Sequence, residues 1–200
     1  MNRRVLITGA TGDTGRAAVK ELIALGLTVH AMVHSRNERS AALEKLGAEV
    51  VVGDLHDIDT IRVAMEGIDA AYFVYPVTAG LIEATVNFTQ AAREAGVSTI
   101  VNLSQRSADR HSKSNSCKET FIAEQVLNWS GLAVTHLRPT YFLEWLLYPF
   151  QLPLFVEKGI LRLPVGKGRH APIAAADQER VIAAILQHPS EHKDQTTSMA

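Results

Sequence analysis

Three glycines at a regular spacing, Gly9, Gly12 and Gly15, lie between a short apolar segment and a segment with a helical pattern. Glycine has no Cβ atom, so it tolerates tight turns and lets a ligand or a neighbouring backbone approach closely. The first amides of a helix have no partner within the helix and lie at the positive end of its dipole, which favours a bound phosphate. With a second strand predicted at residues 28–33, the pattern indicates a βαβ unit that binds a dinucleotide, the alternative being a turn without a ligand.

The residues that follow the second predicted strand bear on which dinucleotide is bound. A site for NAD commonly has an acidic side chain here for the ribose hydroxyls, whereas a site for NADP has neutral or basic residues for the 2′-phosphate. The segment 34–37 contains no acid, and Arg36 offers a planar guanidinium that suits a phosphate. We therefore expect NADP(H), with NAD(H) less favoured. The alternative is that Arg36 and Arg39 are solvated loop charges, and the neighbouring acid Glu38 weighs on that side.

The elements that must position these residues alternate regularly along the chain. Apolar runs predict strands, and helical patterns fall between them and after the last one. The predicted strands are 5–8, 28–33, 49–52, 70–74, 99–103 and 133–137; the predicted helices are 14–25, 39–46, 58–65, 81–95, 118–129 and 177–187. Such alternation predicts a doubly wound parallel sheet with helices on both faces, which is an α/β fold of the Rossmann type.

The composition is that of a chain with a sizeable core and without marked charge. Of 200 residues, 46% are hydrophobic and 20% are charged, which suffices for one compact domain with a small appended lobe. The net charge of −1 gives no electrostatic case for direct binding to nucleic acid or to a membrane surface. The single cysteine, Cys117, excludes an internal disulfide and favours the cytoplasm. No signal peptide is expected, and no apolar run reaches the roughly 18 residues of a membrane-spanning helix.

The glycine spacing G-x-x-G-x-x-G, with Ala10, Thr11 and Gly12 at its centre, resembles the atypical short-chain dehydrogenase/reductases and, among them, the NmrA-like group. The resemblance extends over about residues 3–188 and is supported by Glu124 and by the segment 135–140. That group includes both NADPH-dependent quinone reductases and redox sensors that bind the dinucleotide without turnover. The resemblance therefore implies the cofactor more specifically than it implies a substrate.

The catalytic signature of this superfamily is Tyr-x-x-x-Lys on a helix, where the lysine holds the ribose and lowers the pKa of the tyrosine. In this sequence Lys118 fits the lysine, whereas Ser114 stands in place of the tyrosine. The resemblance implies that Lys118 holds the nicotinamide ribose and that Ser104, at the end of the fifth strand, faces the substrate. A serine hydroxyl is too weak an acid to replace tyrosine, so interconversion of carbonyl and alcohol is not expected. Reduction of a quinone by hydride can be completed by a weaker proton donor, so this reaction stays feasible.

The ends of the third and fourth strands supply further candidates. In the resembled family an Asp-Leu pair like Asp54 and Leu55 lies beside the adenine, the alternative being that Asp54 caps the helix that starts near Asp57. Tyr75 and Pro76 are expected along the cleft by the nicotinamide-side ribose. The complete set of expected cofactor contacts is Gly9, Thr11, Gly12, Asp13, Thr14, Gly15, His34, Arg36, Asp54, Leu55, Tyr75, Pro76 and Lys118, and the expected catalytic residues are Lys118 and Ser104.

No metal site is expected, because the eight histidines lack ligand spacing; His111 and His170 could approach the cleft from separate loops. We divide the chain into a dinucleotide-binding core, 1–140, a small substrate lobe that includes the last helix packed on the core, 141–190, and a polar tail, 191–200, expected to fray. The aromatic segment 141–156 fits a lid over a flat apolar substrate, an internal packing helix or a subunit interface. A hairpin-like excursion is expected at 159–168.

Two functions follow as hypotheses. The first is an NADP(H)-dependent oxidoreductase of a quinone or a similar flat electrophile. The second is an NmrA-type sensor that binds the dinucleotide and acts through a protein partner without turnover. An aromatic lid favours the enzyme. The missing tyrosine favours the sensor, and so does the C-terminal lobe, which the resemblance implies is shortened or truncated.

Overall fold

The computed structural model describes residues 3–162 and 171–199, and these form one seven-stranded parallel sheet flanked by helices. The strands lie in the order β3-β2-β1-β4-β5-β6-β7, and every neighbouring pair is parallel. The predicted doubly wound α/β fold is confirmed. In chain order the elements are β1 Arg4–Ile7, α1 Asp13–Ala24, β2 Thr28–Val33, α2 Glu38–Lys45, β3 Glu49–Val52, α3 Ile58–Ala64, β4 Ala70–Phe73, α4 Leu81–Ala95, β5 Thr99–Leu103, α5 Asn115–Trp129, β6 Ala133–Pro139, α6 Leu152–Lys158, α7 Ala175–Gln187 and β7 Thr196–Met199, with short 3₁₀ turns at Leu143–Leu147 and Pro189–Glu191.

The hydrophobic core lies on both faces of the sheet. Val5 and Ile7 of β1 pack into the cluster beneath α1, α2 and α7, whereas Leu6 points into the cluster beneath α3, α4 and α5. Successive side chains of a strand point to opposite faces, and a parallel sheet is covered by helices on both, so β1 is apolar at consecutive positions. This arrangement leaves the carboxyl ends of the strands, where the glycine turn lies, as the open edge of the domain.

The prediction that residues 191–200 fray is wrong, because Thr196–Met199 form β7. This strand pairs with β6 from Thr196, opposite His136, to Met199, opposite Pro139. Met199 is buried against the core, and Thr197 is half-buried. The polar composition of this segment gave no sign of a strand. The strand forms because its backbone can bond to the edge of β6.

Two other expectations meet the structure differently. Helix α5 starts at Asn115, three residues before the predicted start at 118. The segment 141–156 contains a 3₁₀ turn and the start of α6 in place of one helix. The hairpin expected at 159–168 falls largely outside the described residues. No helix among the described residues is long and apolar enough to cross a bilayer.

Candidate functional site

The glycine turn between β1 and α1 has the conformation that requires missing Cβ atoms. Gly9 has a φ of 56°, in the left-handed region, and the Gly12 amide donates to its carbonyl oxygen at 2.9 Å. A Cβ atom on Gly15 would lie 2.2 Å from the same oxygen, so only glycine lets α1 pack on the turn. A Cβ atom on Gly12 would lie 3.3 Å from it, which is tight but far less severe. The protein's own packing therefore requires Gly9 and Gly15 more strictly than Gly12.

The start of α1 fits a phosphate group. Gly12 is the N-cap residue and has no side chain that could bond the first amides of the helix. Thr11 is half-buried and Asp13 is exposed, whereas Thr14 is buried and lines the adjoining cleft. The amides of the first turn, at the positive end of the helix dipole, are thus available to an anion that enters over Gly12.

A cleft of about 580 Å³ opens beside this turn at the carboxyl edge of the sheet. It brings together Thr14, Tyr75, Pro76 and Ser104 from the predicted set, which lie on α1, the loop after β4 and the end of β5. Its lining consists of Thr14, Val74, Tyr75, Pro76, Val77, Leu81, Asn102, Leu103, Ser104, Gln105, Thr120, Ala123, Pro139, Thr140, Tyr141, Phe142, Trp145 and Tyr148. The cleft therefore joins the phosphate turn to an aromatic surface within one cavity.

Ser104 lies on the back wall of the cleft, but its hydroxyl group is engaged elsewhere. Its Oγ donates to Oε1 of Glu124 at 2.5 Å. Glu124 is 2% exposed and also accepts two hydrogen bonds from Arg138, at 2.8 and 2.5 Å, which raise the pKa of that guanidinium. A hydroxyl group has one proton, so towards the cleft the Ser104 oxygen offers lone pairs alone.

The neighbouring polar residues of the back wall are paired in the same way. Thr120 Oγ1 donates to the Ser116 carbonyl oxygen at 2.9 Å and accepts from Gln105 Nε2 at 2.7 Å. Thr120 and Gln105 were not predicted as site residues. The protons of Ser104 and Thr120 are both directed away from the cleft, so this wall accepts hydrogen bonds more readily than it donates them.

Lys118 is not among the residues that line the cleft, and its expected contact with the nicotinamide ribose stays a prediction. The buried face of α5 is formed by Thr120, Ala123, Glu124 and Leu127. At 100° per residue Lys118 lies about 170° from the centre of that face, and its side chain is exposed. Thr120 and Ala123 line the cleft instead. In the sequence, the helical spacing of these four residues could have indicated which face of α5 is buried. That face does not include Lys118, the lysine of the Tyr-x-x-x-Lys alignment.

The tips of β2 and β3 place His34, Arg36 and Asp54 near one another. His34 is largely exposed, and its Nδ1 lies 3.8 Å from Oδ2 of Asp54. The Arg36 guanidinium pairs with Glu44 of α2 and donates to the Val50 carbonyl oxygen at 3.0 Å. Arg36 stays 60% exposed, so the alternative of a solvated charge remains open, and a phosphate would have to compete with Glu44 for it.

Asp54 does not cap α3, so that alternative is wrong. The cap is Asp57, whose carboxylate accepts from the Asp59 amide at 3.1 Å. Asp54 Oδ1 instead accepts from the His56 amide at 2.9 Å within its own loop. Leu55 is half-buried and packs on the core beneath α3 and α4.

The segment 141–158 covers the cleft from the solvent side. Tyr141 and Trp145 have ring centroids 6.3 Å apart, and both line the cavity with Tyr148. No residue of the 3₁₀ turn or of α6 is buried, so the internal packing helix is wrong. Glu144 Oε1 accepts from the amide of Ala175 at the start of α7, which ties the segment to the core. Burial, with the carboxylates of Asp13 and Glu144 nearby, raises the pKa of the Tyr148 phenol.

Two further titratable candidates, His111 and Cys117, are not among the residues that line this cleft. In the described parts of the chain no three His, Cys, Asp or Glu side chains form a group that could hold a metal ion. His111 is exposed in a loop, where its amide donates to Asp109, and His170 lies outside the described residues. Cys117 is half-buried, and hydrogen bonding from Ser107 lowers the pKa of its thiol.

Comparison with known proteins adds a family and several relatives. A family model described as NAD(P)H-binding matches residues 9–189. The NAD(P)H azoreductase of Xenophilus azovorans is 28% identical over 191 residues, which cover 96% of this chain and 65% of that protein. The photosystem II assembly factor Ycf39 of Synechocystis sp. is 28% identical over 89% of this chain and 56% of that protein. The chain thus spans between about half and two thirds of the length of these relatives.

Among solved structures, a crystal structure of the NADPH-dependent quinone oxidoreductase QOR2 of Escherichia coli, complexed with NADPH, superposes with a TM-score of 0.84. The sequences are 26% identical, and the match covers 98% of this chain and 69% of that one.

Proposed function

This chain belongs to the NAD(P)H-binding family, and we propose that it is an NADPH-dependent reductase of the NmrA-like group that delivers hydride to a quinone or a similar flat electrophile. The observation that carries the proposal is the single cavity that runs from Thr14, beside the phosphate turn, to the aromatic residues Tyr141, Trp145 and Tyr148. A flat acceptor held against these rings would lie beside the end of the sheet where the cofactor binds.

The polar groups of the cleft fit an acceptor that needs little acid catalysis. The bound nicotinamide supplies the hydride. Reduction of a simple ketone would also need a proton donor close to the oxygen, yet Ser104 donates to Glu124 and Thr120 to the Ser116 carbonyl oxygen. A quinone becomes a delocalised anion of weak basicity, which water or a lid tyrosine can protonate. The cleft residues therefore hold and shield the acceptor and leave its protonation to a weak donor.

The relatives support a reductase with an aromatic acceptor. One is described as an azoreductase and another as a quinone oxidoreductase, and both names refer to the reduction of flat conjugated molecules. We place the acceptor in the lobe formed by residues 141–190 and the cofactor in the core formed by residues 1–140. We also propose a cytoplasmic location, because a chain with a single cysteine has no internal disulfide.

NADPH is proposed ahead of NADH for two reasons. The tip of β2 has no acid at residues 34–37, and Arg36 and the exposed Arg39 lie there, close to where a 2′-phosphate would be bound. The quinone oxidoreductase structure is a complex with NADPH. Glu44 is the competitor for Arg36, so Arg39, at the start of α2, is included in the proposed phosphate site.

A dinucleotide-binding regulator without turnover is the second candidate. It is favoured by the position of Lys118, whose side chain is exposed and does not line the cleft, and by a relative that is described as an assembly factor. Such a protein would use the same phosphate turn and would present the exposed apolar lid to a protein partner.

Oxidation of NADPH by the purified protein with a panel of ortho- and para-quinones decides between these candidates. We expect turnover that saturates with the quinone. Binding of NADPH, measured by its fluorescence, without oxidation of NADPH by any quinone of the panel would overturn the reductase and favour the regulator.

A further inference from the structure

Three side chains form a hydrogen-bonded bridge between the loop after β3 and the start of α4. His56 Nε2 lies 2.8 Å from the hydroxyl oxygen of Tyr75, and His56 Nδ1 lies 3.2 Å from Oε2 of Glu83. The Tyr75 hydroxyl also donates to the Ala79 carbonyl oxygen at 3.1 Å, so Tyr75 is held both by His56 and by its own loop. We call the three side chains the His56 bridge. It joins two loops that are separated in sequence but lie at the same edge of the sheet.

The backbone leaves room for this bridge at one glycine. Gly80 is the N-cap residue of α4 and has a φ of 96°. A Cβ atom there would lie 2.6 Å from Cε1 of His56 and 2.8 Å from the Tyr75 hydroxyl oxygen. Gly80 is thus required both by its left-handed conformation and by the two side chains that pass over it.

The bridge also fixes the loop that contains Asp54 and Leu55. The His56 amide donates to Asp54 Oδ1 at 2.9 Å, and Asn87 Nδ2 of α4 donates to the Leu55 carbonyl oxygen at 3.2 Å. Asn87 and Glu83, both on α4, thus hold this loop at two consecutive residues, Leu55 and His56. A loop held in this way keeps its shape before a ligand arrives.

The position of the bridge relates it to the cofactor. In the strand order β3-β2-β1-β4, the loops after β3 and β4 lie on either side of the glycine turn after β1. A dinucleotide whose phosphates bound that turn would lie along the edge that carries both loops, and Tyr75 lines the adjoining cleft. Ordering two loops at the moment of binding would cost affinity, and a preformed tie between them removes part of that cost.

We propose that His56 is a positioning residue for the cofactor, acting on the adenosine half through the loop of Asp54 and on the nicotinamide side of the cleft through Tyr75. The proposal rests on the cofactor binding in the proposed function and not on turnover. It predicts that His56→Ala lowers the affinity for the cofactor and leaves the rate of hydride transfer at saturation unchanged.

The test measures the dissociation constant of NADPH, and of adenosine 2′,5′-bisphosphate as a fragment, for His56→Ala, Tyr75→Phe and the double variant. Each single change should weaken both ligands about threefold to tenfold, the value of one lost hydrogen bond. The double variant should be no weaker than the weaker single variant, because both changes remove the same link. His56→Gln, which retains a polar nitrogen, should recover part of the affinity. His188→Ala, an exposed histidine after α7, is the matched control.

Tyr75→Phe keeps the ring against the cleft and tests the bridge even if His56→Ala folds poorly. Unchanged affinities, or additive losses in the double variant, would overturn the proposal. A fall in kcat with unchanged affinity would overturn it as well, because it would place the pair in proton transfer. If the wild type binds NADPH but reduces no quinone, the reductase fails, while the affinities still decide the role of His56.

Discussion

Gly15→Ala should lower the stability of the fold, whereas Gly12→Ala should mainly lower the affinity for the cofactor. In Gly15→Ala the new Cβ atom would lie 2.2 Å from the Gly9 carbonyl oxygen, whereas ordinary contacts begin at 3.4 Å. The turn must therefore move by about 1 Å, and such overpacking costs about 1–3 kcal/mol, occasionally more. Alanine gains about 1 kcal/mol of helix propensity over glycine. Because backbone meets backbone here, we expect the clash to prevail and the free energy of unfolding to fall by about 1–2 kcal/mol.

In Gly12→Ala the neighbouring atom is 3.3 Å away, so a shift of a few tenths of an ångström relieves the contact. The φ of −82° and ψ of 175° at Gly12 suit any residue, so the free energy of unfolding should change by less than about 1 kcal/mol. The added methyl group, however, lies where a pyrophosphate must approach the amides of α1. We expect NADPH to bind at least about tenfold more weakly, a loss of about 1.4 kcal/mol.

Urea unfolding followed by circular dichroism, and titration of NADPH fluorescence, measure the two quantities separately for both variants. The wild type is the reference, and Gly26→Ala, which is strained by its φ of 81° beyond the far end of α1, is a control that should lose stability without losing affinity for NADPH. An unchanged NADPH affinity in Gly12→Ala would remove the phosphate-turn argument. A Gly15→Ala variant as stable as the wild type would show that the turn yields more easily than its geometry indicates.

Three further predictions concern single side chains. Arg36→Ala should weaken NADPH about threefold to tenfold and NADH hardly at all, because only the 2′-phosphate is lost as a partner; equal losses for both cofactors in parallel titrations would make Arg36 a bystander. Lys118→Ala should change the NADPH dissociation constant less than about twofold, the value of an exposed charge, and a larger loss by the same titration would return this lysine to the site. Glu124→Gln should lower the free energy of unfolding by about 1–3 kcal/mol, because Arg138 then lacks a carboxylate in a partly buried site; a urea midpoint equal to that of the wild type would contradict this.

The features that the sequence predicts well are those set by short-range patterns. The glycine turn has three glycines within seven residues, and this spacing is visible in the sequence. The alternation of strands and helices reflects side-chain periodicities of 2 and 3.6, which follow from backbone geometry and do not depend on distant contacts. The parallel sheet and the candidate positions Thr14, Tyr75, Pro76 and Ser104 at its carboxyl edge follow from these patterns.

Other features depend on which distant residues meet. Strand β7 forms because β6 offers an unpaired edge, and the polar segment 191–200 contains no pattern that predicts a strand. Lys118 matches a spacing along the chain, but the buried face of α5 turns it to solvent. The direction of the Ser104 proton is set by Glu124, twenty residues away, and the His56 bridge joins residues nineteen apart. Side-chain direction and hydrogen-bond partners arise from packing between elements, so only the tertiary structure decided which candidate residues can act together.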